Sequence, residues 1–138
     1  MAILLKPGMK VIVQGATGIE GSKALKLMQA YGTNVVSGVT PGKGGETIEG
    51  IPVYNTVREA VKKDPDISVS AIYVPPFKVL AAVGEACEAR IPLIVIVTEK
   101  VPIKDIVECI AQAKRQGVRI IGPSSVGIMV PGIGGLAP

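Results

Sequence analysis

Three glycines spaced three residues apart are the part of this sequence best suited to binding chemistry. Gly15, Gly18 and Gly21 follow the apolar stretch Lys10–Gln14, and a helical pattern begins directly after them. Such a loop turns sharply, and its main-chain N–H groups and the positive end of the next helix can face a phosphate. The spacing differs from the usual dinucleotide motif G-x-G-x-x-G. The pattern therefore predicts either a phosphate site or a tight strand–helix turn that binds nothing.

Residue types needed for several kinds of catalysis are missing from the sequence. Its 138 residues contain no histidine, which excludes Ser-His-Asp triads, Cys-His pairs and histidine-ligated metals within them. Cys87 and Cys109 both fall in helical patterns, which favours small core residues over a disulfide or a metal pair. We therefore predict no catalytic residue and no metal ligand in this sequence.

The charge balance favours a small anionic ligand over a polymer. The net charge is +4, but aromatic residues make up only 3% and tryptophan is absent, so platforms for stacking nucleic-acid bases are missing. The longest apolar run, Ile91–Val97, is interrupted by Pro92 and is too short to span a bilayer. No basic segment precedes an apolar core at Met1–Leu5, so we expect no secretory signal. The expected location is the cytoplasm or an organelle matrix, without membrane or nucleic-acid partners.

Short apolar stretches alternate with amphipathic patterns along the chain. The predicted strands are Lys10–Gln14, Asn34–Val39, Ser68–Val74, Leu93–Val97 and Val118–Ile121, with a hairpin at Thr47–Tyr54 and a candidate sixth strand at Val126–Val130. Three helices are predicted with apolar faces made of Ala24, Leu27, Met28 and Tyr31; of Val79, Ala82, Val83, Ala86 and Cys87; and of Ile103, Ile106, Val107 and Ile110. A capping box at Thr56–Glu59 opens a further short helix.

This alternation predicts a single α/β domain over residues 1–138, with a doubly wound parallel sheet of Rossmann type. We expect the five strands in the order 3-2-1-4-5, which opens a ligand crevice at the carboxyl ends of strands 1 and 4. The glycine turn, Lys43 after strand 2 and the stretch Val97–Glu99 would then converge on one crevice. That convergence favours a nucleotide that carries phosphates.

Nicotinamide dinucleotides are the main alternative ligand. Enzymes that use them bind the adenosine ribose with a carboxylate at the end of strand 2, but here none occurs before Glu46. The Tyr-x-x-x-Lys pair of short-chain dehydrogenases is also missing. Lys43 suits a phosphate instead, or is simply a solvated loop lysine, and its glycine neighbours leave the loop free to fold onto a ligand.

Six blocks of the sequence carry a resemblance to a known family. They are Gly15–Gly21, Gly38–Gly45, Asn55–Ala60, Ile72–Pro75, Val97–Glu99 and Ile121–Pro123. In this order they resemble the amino-terminal, Rossmann-like CoA-binding domain of the alpha subunit of succinyl-CoA synthetase. The similarity covers essentially the whole chain, and the block Gly-Val-Thr-Pro-Gly-Lys-Gly-Gly is its most specific part. The resemblance implies CoA as the ligand.

The resemblance also implies which residues bind CoA. They are Thr17, Gly18, Ile19, Glu20, Lys43, Val97, Thr98 and Glu99. Main-chain N–H groups in the first stretch can hold the pyrophosphate, Lys43 can pair with phosphates, and main-chain groups of the last stretch can read the adenine edge. Glu99 is equally well explained as a carboxylate near a helix N-terminus. We expect the turn Tyr73–Pro75 to line the same crevice.

Two departures from the family define what this chain would lack. The family's second domain, which carries the phosphorylated histidine, is not present in this sequence, so an NDP-forming acyl-CoA ligase would need a phosphohistidine domain and an ATP-grasp beta-type subunit as partners. The family's Asn-Cys-Pro segment is replaced by Ser124-Ser125-Val126, which favours a different acyl substrate. A stand-alone CoA- or nucleotide-sensing protein and an NAD(P)-binding Rossmann protein remain the alternatives.

Overall fold

The computed structural model describes residues 8–123, 128–130 and 134–136. In chain order the strands are β1 (Lys10–Gln14), β2 (Val35–Val39), β3 (Thr47–Ile48), β4 (Ile51–Tyr54), β5 (Ile67–Ile72), β6 (Leu93–Ile96), β7 (Arg119–Ile121), β8 (Ile128–Val130) and β9 (Gly134–Leu136). The helices are α1 (Ile19–Ala30), α2 (Val57–Lys63), α3 (Val79–Glu88) and α4 (Ile103–Gln116), and a short 3-10 helix spans Pro76–Lys78. The expected hairpin at Thr47–Tyr54 is confirmed as β3 and β4, and its turn passes through Glu49 and Gly50, both with positive φ.

One sheet of seven strands, in the order β3-β4-β2-β1-β5-β6-β7, carries the core. Every pairing in it is parallel except that of β3 with β4. The predicted strand order is wrong at one place. Strand 4, which is β6, was expected beside strand 1, but β5 lies beside β1. The reason is that β4 pairs in parallel with β2 through Gly38–Val53 and Val39–Tyr54, and takes the outer place predicted for Ser68–Val74. The point where the strand order reverses therefore lies between β1 and β5.

Two buried clusters lie on opposite faces of the sheet, because side chains alternate along each strand. On β1, Ile12 packs with α2, α3 and α4, whereas Val11 and Val13 pack with α1. Helices thus cover both faces, and the prediction of an α/β, doubly wound, Rossmann-like domain is confirmed. Within the described ranges, none of the helices combines the length and apolar character needed to cross a bilayer.

The apolar faces of the helices were predicted with mixed success. All five residues predicted for α3 are buried. In α1, Leu25 is fully buried whereas Leu27 and Tyr31 are 41% and 51% exposed, so the predicted face is wrong at two positions. The helix begins at Ile19, within the glycine turn, and its buried face includes the small residues Gly21 and Ala24. Those residues let the helix approach the sheet closely.

The predicted face of α4 is wrong at three of its four positions. Ile103, Val107 and Ile110 are 79%, 62% and 45% exposed, whereas Cys109 and Ala113 are the buried residues of this helix. Both buried residues of α4 are small, and they belong to the same buried cluster as the buried face of α3. Both cysteines are buried and free, in agreement with their interpretation as core residues.

The predicted start of α2 is confirmed. The Thr56 hydroxyl accepts a hydrogen bond from the Glu59 N–H at 3.1 Å, which caps α2. Gly117 ends α4 with a φ of 68°. The candidate sixth strand is partly outside the described residues, and Ile128–Val130 pairs with β9 in a separate hairpin rather than with the main sheet. Ser124, Ser125 and Val126 lie outside the described residues.

Candidate functional site

The turn after β1 depends on glycine at its first and last positions. Gly15 has a φ of 88°, and a Cβ there would lie 3.0 Å from the main chain of Tyr73 and Val74. A Cβ on Gly21 would overlap the carbonyl oxygen of Gly15. A Cβ on Gly18 would meet the same oxygen at 3.4 Å, an ordinary contact. The first and last glycines are therefore required by packing, whereas Gly18 is not.

Gly18 instead is the N-cap residue of α1, and having no side chain it leaves the N–H groups of the first helical turn uncapped. No side chain caps the helix there, and the N–H of Gly18 donates to the Gly15 carbonyl at 3.1 Å. The next N–H groups, of Ile19 and Glu20, belong to the first helical turn, which has no preceding carbonyl to accept them. These donors and the helix dipole make the turn suitable for an anion.

Two adjoining cavities lie at the carboxyl ends of the central strands. The Val97 cavity has a volume of about 600 Å³ and is lined by Gly18, Ile19, Glu20, Tyr73, Val74, Pro75, Pro76, Val97, Thr98 and Glu99. The Thr40 cavity has a volume of about 380 Å³, and its lining includes Gln14, Gly15, Thr17, Thr40, Pro41 and Lys78. Gly18 and the turn Tyr73–Pro75 line both cavities, so the two cavities adjoin, and we call them together the cleft. A further cavity of about 390 Å³ lies between α2 and α3 and is lined by Thr56, Arg58, Val61, Glu85, Glu88 and Ala89.

The structure brings seven of the eight predicted site residues to this cleft. Six of them, Gly18, Ile19, Glu20, Val97, Thr98 and Glu99, line the Val97 cavity. Thr17 lines the Thr40 cavity, and the turn Tyr73–Pro75 lies where it was expected. Lys43 lines neither cavity; it lies on the loop that continues from Thr40 and Pro41.

The residues after β6 line the same cavity as the start of α1, although β5 lies between β6 and β1. The Val97 N–H donates to the Ile72 carbonyl at 3.1 Å, and the Thr98 hydroxyl donates to the Val74 carbonyl at 2.7 Å. These bonds hold the residues after β6 against the residues after β5. The Thr98 hydroxyl is thereby used inside the protein.

A buried polar network supports the floor of the Thr40 cavity. Gln14 is 2% exposed, and its Nε2 donates to the Ala82 carbonyl at 3.0 Å. Its Oε1 accepts a hydrogen bond from the Ser70 hydroxyl at 2.6 Å. Because both ends of the amide are satisfied, the network joins β1, β5 and α3 at the point where the cleft opens.

The phenol of Tyr73, which lines both cavities, has a raised pKa. Burial raises the pKa of its phenol well above the ordinary value, and the nearby negative charge of Glu20 raises it further. The phenol is therefore neutral at physiological pH. Its buried hydroxyl has no hydrogen-bond partner among the described residues. Across the described part of the chain, no group of three or more potential side-chain ligands is placed to hold a metal ion.

Two residues that the sequence analysis missed hold the loops of the site. Thr40 accepts hydrogen bonds from Thr17, and Asn55 accepts two from the loop that carries Lys43. Thr40 could have been found from the sequence, because it directly follows the second strand, where dinucleotide enzymes place their carboxylate. Asn55 is the first residue of Asn55–Ala60, one of the six blocks that carry the family resemblance.

Lys43 itself lies on the protein surface. Its Nζ is 3.9 Å from the Glu46 carboxylate, and both side chains are about half exposed. Such a pair contributes little to stability, so Glu46 is not a strong competitor for a phosphate. The idea that the loop is free to fold onto a ligand is wrong, since its main chain is already held by hydrogen bonds within the protein.

Comparisons with known proteins agree with this geometry. The profile of the CoA binding domain matches residues 8–100. The alpha subunit of succinate–CoA ligase [ADP-forming] from Aquifex aeolicus is 46% identical over 134 residues, which cover 96% of this chain and 44% of that protein. Subunit alpha 2 from Archaeoglobus fulgidus is 44% identical over 132 residues, which cover 96% of this chain and 46% of that protein. The chain thus spans less than half the length of these relatives.

A solved structure shows the same fold. ATP citrate lyase from Methanothrix soehngenii, in complex with citrate and coenzyme A, matches with a TM-score of 0.81 at 19% identity, over 98% of this chain and 24% of that chain. The range matched by the family profile contains the glycine turn, Lys43 and Val97–Glu99. The prediction of CoA as the ligand is thereby confirmed, and the chain belongs to the family of CoA-binding domains.

Proposed function

We propose that this domain binds CoA by its nucleotide end, as part of a succinyl-CoA synthetase-like, NDP-forming acyl-CoA ligase. One observation carries the proposal: the open N-terminus of α1, the turn Tyr73–Pro75 and the stretch Val97–Glu99 share a cavity of about 600 Å³. That cavity lies at the carboxyl ends of parallel strands, where open α/β sheets bind their ligands.

Each part of the cleft has a proposed role toward CoA. The N–H groups of the first turn of α1, beginning at Ile19, hold the pyrophosphate. Lys43, on the neighbouring loop, pairs through its ammonium group with a phosphate of CoA. Main-chain groups of Val97–Glu99 form hydrogen bonds with the edge of the adenine. Glu20 is exposed, so its carboxylate can turn toward water and away from the phosphates.

The contribution to the reaction is orientation. Holding the cofactor by its remote end brings the thiol to a fixed position, where it attacks an acyl phosphate formed on other domains. Uniform binding at the nucleotide end does not itself lower the barrier of the chemical step. We place formation of that acyl phosphate on a phosphohistidine domain and an ATP-grasp beta-type subunit, in keeping with the 44% coverage of the Aquifex aeolicus relative. A cytoplasmic location agrees with the two free thiols.

Isothermal titration calorimetry against CoA, dephospho-CoA, NADH and ATP tests the proposal. We expect CoA to bind most tightly, because Thr40 stands where a ribose-binding carboxylate would favour NADH. Dephospho-CoA separates the contribution of the 3′-phosphate from that of the pyrophosphate. Tighter binding of NADH than of CoA would overturn the proposed function.

A further inference from the structure

The loop Thr40–Glu46 is folded around the side chain of Asn55. Oδ1 of Asn55 accepts hydrogen bonds from the N–H groups of Gly42 and Gly44, each at 2.9 Å. Because both partners are donors, the accepting atom must be the amide oxygen. A Cβ on Gly44 would lie 2.6 Å from Nδ2 of Asn55, so glycine at this position lets the amide approach.

The main-chain N–H groups of this loop all have acceptors inside the protein. Beside the two bonds to Asn55, they donate as follows: Thr40 to Tyr54 O, Lys43 to Thr40 O, Gly45 to Val53 O and Glu46 to Lys43 O, at 3.0 to 3.2 Å. Pro41 has no N–H to donate. The loop therefore offers no main-chain donor to an anion, and Lys43 supplies its only positive charge.

We propose that Asn55 is a positioning residue, which holds the loop in the conformation that presents Lys43 to a phosphate of the bound ligand. The inference rests on the proposed function. A loop with glycines on both sides of a lysine has many accessible conformations, and binding would have to select one of them. Oδ1 of Asn55 accepts hydrogen bonds from the N–H groups on either side of Lys43. It therefore holds the loop in one conformation before the ligand binds.

The expected size of the effect follows from the fraction of molecules that are ready to bind. If the loop of an Asn55→Ala variant holds the binding conformation in about one molecule in ten, the affinity for CoA falls about tenfold. The loss cannot exceed that of Lys43→Ala, because Asn55 acts through this side chain. In a Lys43→Ala background, Asn55→Ala should therefore change the dissociation constant less than about twofold.

The experiment is a double-mutant cycle by calorimetry with CoA, using wild type, Lys43→Ala, Asn55→Ala and the double variant. Thr56→Ala is the matched control, because Thr56 is the next residue and its hydroxyl caps α2 by accepting the Glu59 N–H. It should lower the melting temperature while leaving CoA affinity unchanged. Hydrogen exchange without ligand gives an independent readout: the N–H groups of Gly42 and Gly44 should exchange faster in Asn55→Ala than in wild type or Thr56→Ala.

The outcomes separate this inference from the proposed function. Absence of CoA binding by the wild type, with exchange as expected, would overturn the function and with it the role of Asn55 toward CoA. Normal CoA binding with full additivity of the two substitutions would overturn the inference alone. Unchanged exchange of Gly42 and Gly44 in Asn55→Ala would also overturn the inference, whatever the affinity.

Discussion

The hydroxyl oxygen of Thr40 accepts hydrogen bonds from both the N–H and the hydroxyl of Thr17, at 3.4 and 3.1 Å. The two residues lie on different loops, one after β1 and one after β2. This contact joins the glycine turn to the loop that carries Lys43. Two proposed phosphate-binding elements are thereby held in a fixed relation to each other.

Replacing Thr40 should therefore weaken ligand binding. Thr40→Val keeps the shape of the side chain but removes the acceptor, and a lost hydrogen bond is worth about 0.5–1.5 kcal/mol. We expect a loss in CoA affinity of roughly two- to tenfold, measured by calorimetry. Thr47→Val, at an exposed threonine of β3, is the control. Equal affinities for the two variants would contradict the role of Thr40.

The glycines of the turn should respond differently to alanine. In Gly21→Ala the new methyl group overlaps the Gly15 carbonyl, a main-chain atom that cannot rotate away. We expect a destabilisation of about 1–3 kcal/mol, measured by urea unfolding. Gly18→Ala has room for its methyl group and a negative φ, so it should fold normally yet lose CoA affinity by obstructing the cleft. A Gly21→Ala variant as stable as wild type would refute the packing argument.

Charge reversal at Lys43 should weaken CoA binding without unfolding the domain. A charged hydrogen bond to phosphate is worth ~1.5–3 kcal/mol, which corresponds to a loss of roughly ten- to hundredfold, and Lys43→Glu adds repulsion. Lys104→Glu on α4 makes the same change in net charge at an exposed site and should bind normally. The loss at Lys43 should shrink as salt is raised. An unchanged dissociation constant would leave Lys43 as a solvated loop lysine.

The buried thiol of Cys109 should make stability depend on alkaline pH. Burial raises its pKa to about 11, mainly by disfavouring the thiolate. Since the folded-state pKa lies above the unfolded value of about 9, this contribution is complete below pH 9 and is lost as the pH rises toward 11. The free energy of unfolding should fall more steeply in that range for wild type than for Cys109→Ala. Parallel curves for the two proteins would contradict the assignment.

The domain alone should form neither a phosphoprotein nor an acyl-CoA. It contains no histidine to phosphorylate and no Gly-x-x-x-x-Gly-Lys-Ser/Thr loop for a nucleoside triphosphate. Incubation with radiolabelled ATP, CoA and succinate should give no labelled protein and no thioester. With the proposed partner domains added, the phosphohistidine domain should become labelled and the thioester should form. A product formed by this chain by itself, and abolished by Lys43→Glu, would place the chemistry here after all.

Features that depend on near neighbours in the chain could be predicted from the sequence. The glycine turn, the hairpin at Thr47–Tyr54, the cap at Thr56 and the buried face of α3 all follow from residue types at fixed short spacings. Helical and strand periods determine which side chains share a face, and glycine determines where the backbone can turn. The same local blocks carried the family resemblance that pointed to CoA.

Features that depend on competition between distant segments were decided only by the tertiary structure. Both β4 and β5 could in principle occupy the place beside β2, and pairing of β4 there puts β5 next to β1. The burial of Cys109 in place of Val107 likewise depends on how closely α4 approaches α3. The bonds from Asn55 and Thr40 join residues 11 to 23 positions apart. No local period encodes such contacts, because they form only when the fold brings the two loops together.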